Sequence, residues 1–144
     1  MRVLLDTDVV LDVILAREPF AKDAVKLLDL AETGSFEAYI SAITPLNIFY
    51  IARKAKAVRD PREAIHLLVH KVGICPVDES VLCTAFAVRF LDYEDAVQYV
   101  GAVAEGLHAI VTRNEHDFKN SVLPVYTPDG FLQYLKSDEQ QTET

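Results

Sequence analysis

Five short apolar runs recur along this chain, alternating with longer stretches that have helical spacing of apolar residues. The runs lie at residues 2–5, 38–40, 72–76, 109–112 and 122–126. The helix-length segments lie at 8–15, 21–33, 45–55, 61–71, 79–90, 93–105 and 128–135. Strands that alternate with helices pair in parallel, because only a crossover helix can return the chain to the same end of a sheet. The expected class is therefore α/β, with a parallel sheet of four to five strands flanked by helices; the arrangement taken for it is the order 3-2-1-4-5. Proline opens three of the helices, after Thr44, Asp60 and Thr127. There the preceding side chain can cap, and the N–H that proline lacks would be unpaired anyway.

One of these helices is unusual. From Asp95 to Glu105 nearly every face is apolar, through Ala96, Val97, Tyr99, Val100, Ala102, Val103 and Ala104. Such a helix is buried, and an acid at its start is costly unless it is paired. At 144 residues the chain is expected to form one domain over residues 1–135, with 136–144 a flexible polar tail.

Net charge is −8, from 14 basic and 22 acidic residues. That excludes a broadly basic nucleic-acid-binding surface. It leaves a nucleic-acid substrate open, because a bound divalent cation inverts the local charge of an acidic cleft. No apolar stretch reaches bilayer length. The first residues lack the pattern of a signal peptide, so the cytosol is the expected compartment. Cys75 and Cys83 are separated by seven residues, which fits neither a zinc ribbon nor a redox pair. Both are expected to be buried free thiols. His66 and His70 stand one helical turn apart without a third ligand nearby, as on a half-exposed helix surface.

Polar groups fall at four places that a parallel sheet brings together. Asp6 ends the first strand, and Asn47 lies in the first turn of the third helix. Asp92, Glu94 and Asp95 open the buried helix, and Thr112, Asn114 and Asp117 follow the fourth strand. The first and fourth strands are neighbours at the switch point of a 3-2-1-4-5 sheet, where ligands gather. Converging carboxylates repel one another unless a cation is present. Oxygen donors of this kind suit Mg²⁺ or Mn²⁺, and such an ion supports phosphate chemistry. Asp8 reads as an N-cap, and Asn47 as a capping-box partner of Thr44 or a site residue. Asp12 reads as structural and Phe118 as a core anchor. Arg113 reads as exposed, Asp92 and Glu94 as solvated helix-start acids, and Tyr50, Tyr93 and Tyr99 as packing residues.

Four segments carry a family resemblance: Leu4-Leu5-Asp6-Thr7-Asp8-Val9-Val10-Leu11-Asp12, Ile40-Ser41-Ala42-Ile43-Thr44, Asp92-Tyr93-Glu94-Asp95-Ala96-Val97-Gln98 and Ile110-Val111-Thr112-Arg113-Asn114-Glu115-His116-Asp117-Phe118. Together and in order they resemble the PIN domain, the nuclease domain of VapC-type toxins in toxin–antitoxin pairs. The resemblance implies a Rossmann-like three-layer fold and Mg²⁺- or Mn²⁺-dependent cleavage of RNA. It also implies a homodimer and inhibition by a small antitoxin protein. It carries metal-ligand roles to Asp6 and Asp95, and the last ligand or its water contact to Asn114 or Asp117. Thr7 and Thr112 become supports.

Two departures stand out. The family's usual glutamate in the third helix falls at Asn47, which has a carbonyl oxygen but no charge. The usual asparagine two positions after the first acid is Asp8. A second reading follows from Asn47, a PIN-fold module that binds RNA or protein without cutting. A third reads residues 6–10 as the start of a haloacid-dehalogenase-type phosphatase, with Asp6 as nucleophile.

Overall fold

The computed structural model describes residues 1–55 and 60–143. Its strands are β1 (Arg2–Leu5), β2 (Glu37–Ser41), β3 (Gly73–Cys75), β4 (Ala109–Val111) and β5 (Val125–Tyr126). They form one parallel sheet in the order β3-β2-β1-β4-β5, as expected. Leu5 pairs in register with Val111, so the carboxyl ends of β1 and β4 lie side by side. The helices are α1 (Thr7–Ile14), α2 (Ala21–Glu32), α3 (Thr44–Ala55), α4 (Pro61–Lys71), α5 (Glu79–Ala85), α6 (Tyr93–Ala104) and α7 (Pro128–Thr142), with a 3-10 turn at Glu115–Phe118.

Strand alternation sorts the core into two layers. Val3 and Leu5 of β1, with Ala109 and Val111 of β4, pack among Val9, Leu27, Ile48, Leu68 and Phe131. Leu4 and Ile110 face the other way, among Val81, Val97, Val100 and Phe118. Helices α1, α2, α3, α4 and α7 therefore cover one face, and α5 and α6 the other. Burial on both faces explains why these strands read as continuous apolar runs. Helix α6 is buried from Ala96 through Ala102, as its composition requires, and its two ends meet solvent. At Gly73 a Cβ would overlap the Tyr39 ring, so the β2–β3 pairing needs glycine there.

Several local expectations change. Helix α5 stops at Ala85 instead of running to residue 90, because the chain turns to put Phe90 against Tyr99 and Phe118. Helix α7 runs to Thr142 rather than ending at residue 135, so residues 136–142, expected as a tail, form its exposed last turns. Asp60 and Thr127 cap their helices, accepting from the N–H groups of Arg62 and Gly130. Thr44 does not cap: it is the first residue of α3, and its hydroxyl meets Thr7 instead. Cys75 is buried, but Cys83 is exposed. Val81 and Ala85 form the inward face of α5, and Cys83 lies between them on the opposite side. Tyr99 packs in the core as expected, whereas Tyr50 and Tyr93 are exposed. Among the described residues no helix is long and apolar enough to cross a membrane.

Candidate metal centre

The site is built on Asp6, the first residue after β1. Its N–H donates to the Val111 carbonyl at 3.0 Å, which locks it to the end of β4. Its side chain is almost fully buried and each oxygen is bound. Gln98 Nε2 donates to Oδ1 at 3.0 Å, and the Thr112 hydroxyl donates to Oδ2 at 2.7 Å. Burial raises the Asp6 pKa, and the Asp8 charge adds to that. The bonds from Thr112 and Gln98 oppose the rise.

Neighbouring polar groups fix the two chain segments that leave this corner. Thr112 Oγ1 also accepts from the Asn114 N–H at 3.0 Å, and Asn114 Nδ2 donates to Asp8 Oδ2 at 3.0 Å. The turn after β4 is thus tied to α1. Thr7 donates its N–H to Gln98 Oε1 at 3.3 Å, and its hydroxyl pairs with Thr44 Oγ1 at 2.9 Å, which ties α1 to α6 and α3. Asp8 is not an N-cap: Asp6 holds the N-cap position, and Asp8 lies in the first turn of α1.

Asp95 enters from the start of α6. Asp92 is the N-cap, accepting from the Asp95 N–H at 2.9 Å. Its pKa is pushed up to about 8, first by loss of solvent and then by the charges of Asp6, Asp92, Asp117 and Glu94. Asp117, in the exposed 3-10 turn, is therefore close enough to act on Asp95. Asn114 is engaged with Asp8 instead.

One contributor was not singled out from sequence. Gln98 is fully buried and braces Asp6. Its signal was available: it is the one strongly polar residue within an all-round apolar helix, three positions after Asp95 and so on the same side. Glu94 is exposed, as the reading of a solvated acid expects; partial loss of solvent and the charges of Asp92, Asp6 and Asp8 raise its pKa. Arg113 departs from expectation. Its Nε lies 2.7 Å from Asp12 Oδ2, an ion pair without hydrogen-bond alignment. Its guanidinium stacks 4.0 Å from the Phe20 ring centroid. Asp12, fully buried, also takes Arg17 at 3.0 Å.

The crowded acids and all-oxygen donors suit a hard divalent cation. Among the described residues no three acidic, thiol or imidazole groups converge closely enough to hold an ion alone.

Comparison with known proteins places these features in context. A family described as PIN domain matches residues 2–116. The chain is 25% identical to "Ribonuclease VapC1" of Aquifex aeolicus over 136 residues, 92% of this chain and 94% of that protein. A toxin-antitoxin complex from Klebsiella pneumoniae contains a chain of similar fold, with a TM-score of 0.65 and 24% identity, over 88% of this chain and 97% of that one. The DNA-bound VapBC of Salmonella typhimurium contains another, with a TM-score of 0.69 and 17% identity, over 89% and 98%.

Proposed function

This chain belongs to the PIN domain family, and from that premise we propose that it is a divalent-cation-dependent ribonuclease, the toxin of a toxin–antitoxin pair. The observation that carries the reading is the Asp95 carboxyl beside the carboxyl ends of β1 and β4, pushed up to about 8 first by burial and then by the charges of Asp6, Asp92, Asp117 and Glu94. Membership in this family displaces the phosphatase reading of residues 6–10.

Asp6, Asp95 and Asp117 would hold Mg²⁺ or Mn²⁺. When bound, the ion supplies Lewis-acid polarisation of a phosphoryl oxygen and acidifies a water for attack. The chain's own residues supply orientation. Thr112 and Gln98 set the Asp6 carboxylate. Asn114, through Asp8, holds the turn that carries Asp117, and Thr7 keeps α1 in register with α3 and α6. Water attacks phosphorus in line, the P–O3′ bond breaks, and the products are a 5′-phosphate and a 3′-hydroxyl. The acidic surface does not recruit RNA by itself, and a bound cation would offset that charge in the cleft.

The kinship with the Aquifex ribonuclease and with chains from toxin–antitoxin complexes supports an RNA substrate and a small protein partner. Exposed Leu46 and Tyr50 on α3, with Phe86 and Leu91 beyond α5, offer apolar surface for that partner or for a second copy in a homodimer. The test is cleavage of structured and single-stranded RNA with Mg²⁺, Mn²⁺ or EDTA, comparing the parent with Asp6→Asn. Metal-dependent cleavage by the parent, reduced at least about a hundredfold in Asp6→Asn, is expected. Equal residual activity in the two proteins would overturn the reading and leave a binding module.

A further inference from the structure

Helix α4 buries one of its residues, Leu68. Successive helical residues turn by about 100°, so the positions two before and two after Leu68 point almost directly away from the core. Those positions are His66 and His70, and both are exposed. Residues four apart on a helix are neighbours on its surface. Here the two imidazole rings stand 4.4 Å apart between centroids, inclined at 57° to each other.

One hydrogen bond sets the chemistry of the pair. His70 Nδ1 lies 2.7 Å from the His66 carbonyl oxygen. A carbonyl only accepts, so Nδ1 carries the hydrogen and Nε2 of His70 keeps its lone pair. Metal-binding imidazoles are held in the same manner: one ring nitrogen donates to a carbonyl or carboxylate, and the other is left as the ligand. Among the described residues neither ring is ion-paired with a carboxylate. His70 also lies in the last turn of α4, where the helix dipole favours positive charge.

We infer that His66 and His70 together chelate one transition-metal ion, Cu²⁺, Ni²⁺ or Zn²⁺, on the outer face of α4. Imidazole suits these ions, whereas Mg²⁺ and Mn²⁺ prefer the oxygen donors of the acidic crevice. Among the described residues no third histidine, cysteine or acid converges with the pair, so water or a ligand from another molecule completes the shell. No step of RNA cleavage runs through this ion, and the inference stands whether or not the chain is a nuclease.

The experiment is calorimetric titration of the full chain with NiCl₂ near neutral pH, in excess MgCl₂ to fill the oxygen site. Cys83→Ser serves as the background, because the Cys83 thiol is exposed and would compete. His66→Ala and His70→Ala are compared in that background, with melting curves to establish folding. The background protein is expected to bind one equivalent of Ni²⁺. Each substitution is expected to weaken that binding by more than about tenfold, the least that loss of even an outer-shell partner costs. Cu²⁺ is expected to bind more tightly than Ni²⁺, with an electron paramagnetic resonance spectrum that shows two coupled imidazole nitrogens and loses one of them in each variant. Ni²⁺ affinity unchanged in either variant would place the ion elsewhere and overturn the inference. So would two equivalents of which each variant keeps one at full affinity, since the rings would then act separately. A background protein that binds no Ni²⁺ overturns it outright.

Discussion

Gln98 and Asp6 are buried against each other, with Gln98 Nε2 donating to Asp6 Oδ1 across 3.0 Å while Gln98 Oε1 accepts from the N–H of Thr7. One amide therefore satisfies an acid and a backbone donor that the fold has removed from water. Replacing it with leucine strands both. Gln98→Leu is expected to lower stability by about 2 kcal/mol and to reduce cation-dependent cleavage. Urea denaturation and the RNA assay read the two effects separately, and an unchanged midpoint would count against the bracing role.

Asp95 makes stability depend on pH in an uncommon direction. Its pKa rises from 3.8 to about 8 on folding, because burial and neighbouring acids disfavour its charge. The native state thus holds a proton that the unfolded chain has released anywhere between about pH 4 and pH 8. The contribution of this group to stability is complete below the unfolded pKa and is lost as pH rises through 8. In EDTA the melting temperature should fall between pH 5 and pH 8. Asp95→Asn should flatten that slope and stabilise the protein at pH 8 by about 1–2 kcal/mol after allowance for solvent screening. Millimolar Mg²⁺ should raise the melting temperature of the parent at pH 8 and not that of the variant.

Asp12 lies between Arg17 and Arg113, and Arg113 directly precedes the turn that carries Asn114 and Asp117. Removing the buried charge leaves two guanidinium groups without their partner. Asp12→Asn is expected to cost about 2–4 kcal/mol and to speed amide hydrogen exchange through residues 113–118. Arg113→Lys should weaken the same anchor, since an ammonium cannot reproduce the planar stack on Phe20. Exchange in that turn equal to the parent's would show that the anchor does not hold it.

The two cysteines should differ sharply toward a thiol reagent. Cys83 is exposed, whereas Cys75 is buried with its thiol pushed up to about 12, chiefly by burial. One thiol per native chain should react quickly, with the second following only on unfolding. Cys83→Ser should abolish the fast phase.

Much of this was written in local patterns. Apolar runs of strand length between helical periodicities pointed to a parallel sheet, because period and length are properties of neighbours in the chain; its order came with the family resemblance. The caps at Asp60 and Thr127 were legible for the same reason: cap and capped N–H are two or three residues apart. So was the prominence of Asp6 and Asp95, one ending a buried strand and the other opening a buried helix.

Whatever depends on a partner from another element was not. Thr44 had the composition of a cap and became a bridge to Thr7, 37 residues away. Arg113 looked exposed until Asp12 and Phe20 closed on it. The sequence by itself determined the parallel α/β layers and singled out Asp6 and Asp95, the two acids proposed for the site, since hydrophobic period and chain position suffice for those. Only the tertiary structure decided which polar groups face one another there. Burial makes an unpaired polar atom costly, and the partners that satisfy Asp6 come from α6 and from the end of β4, segments about a hundred residues further along the chain.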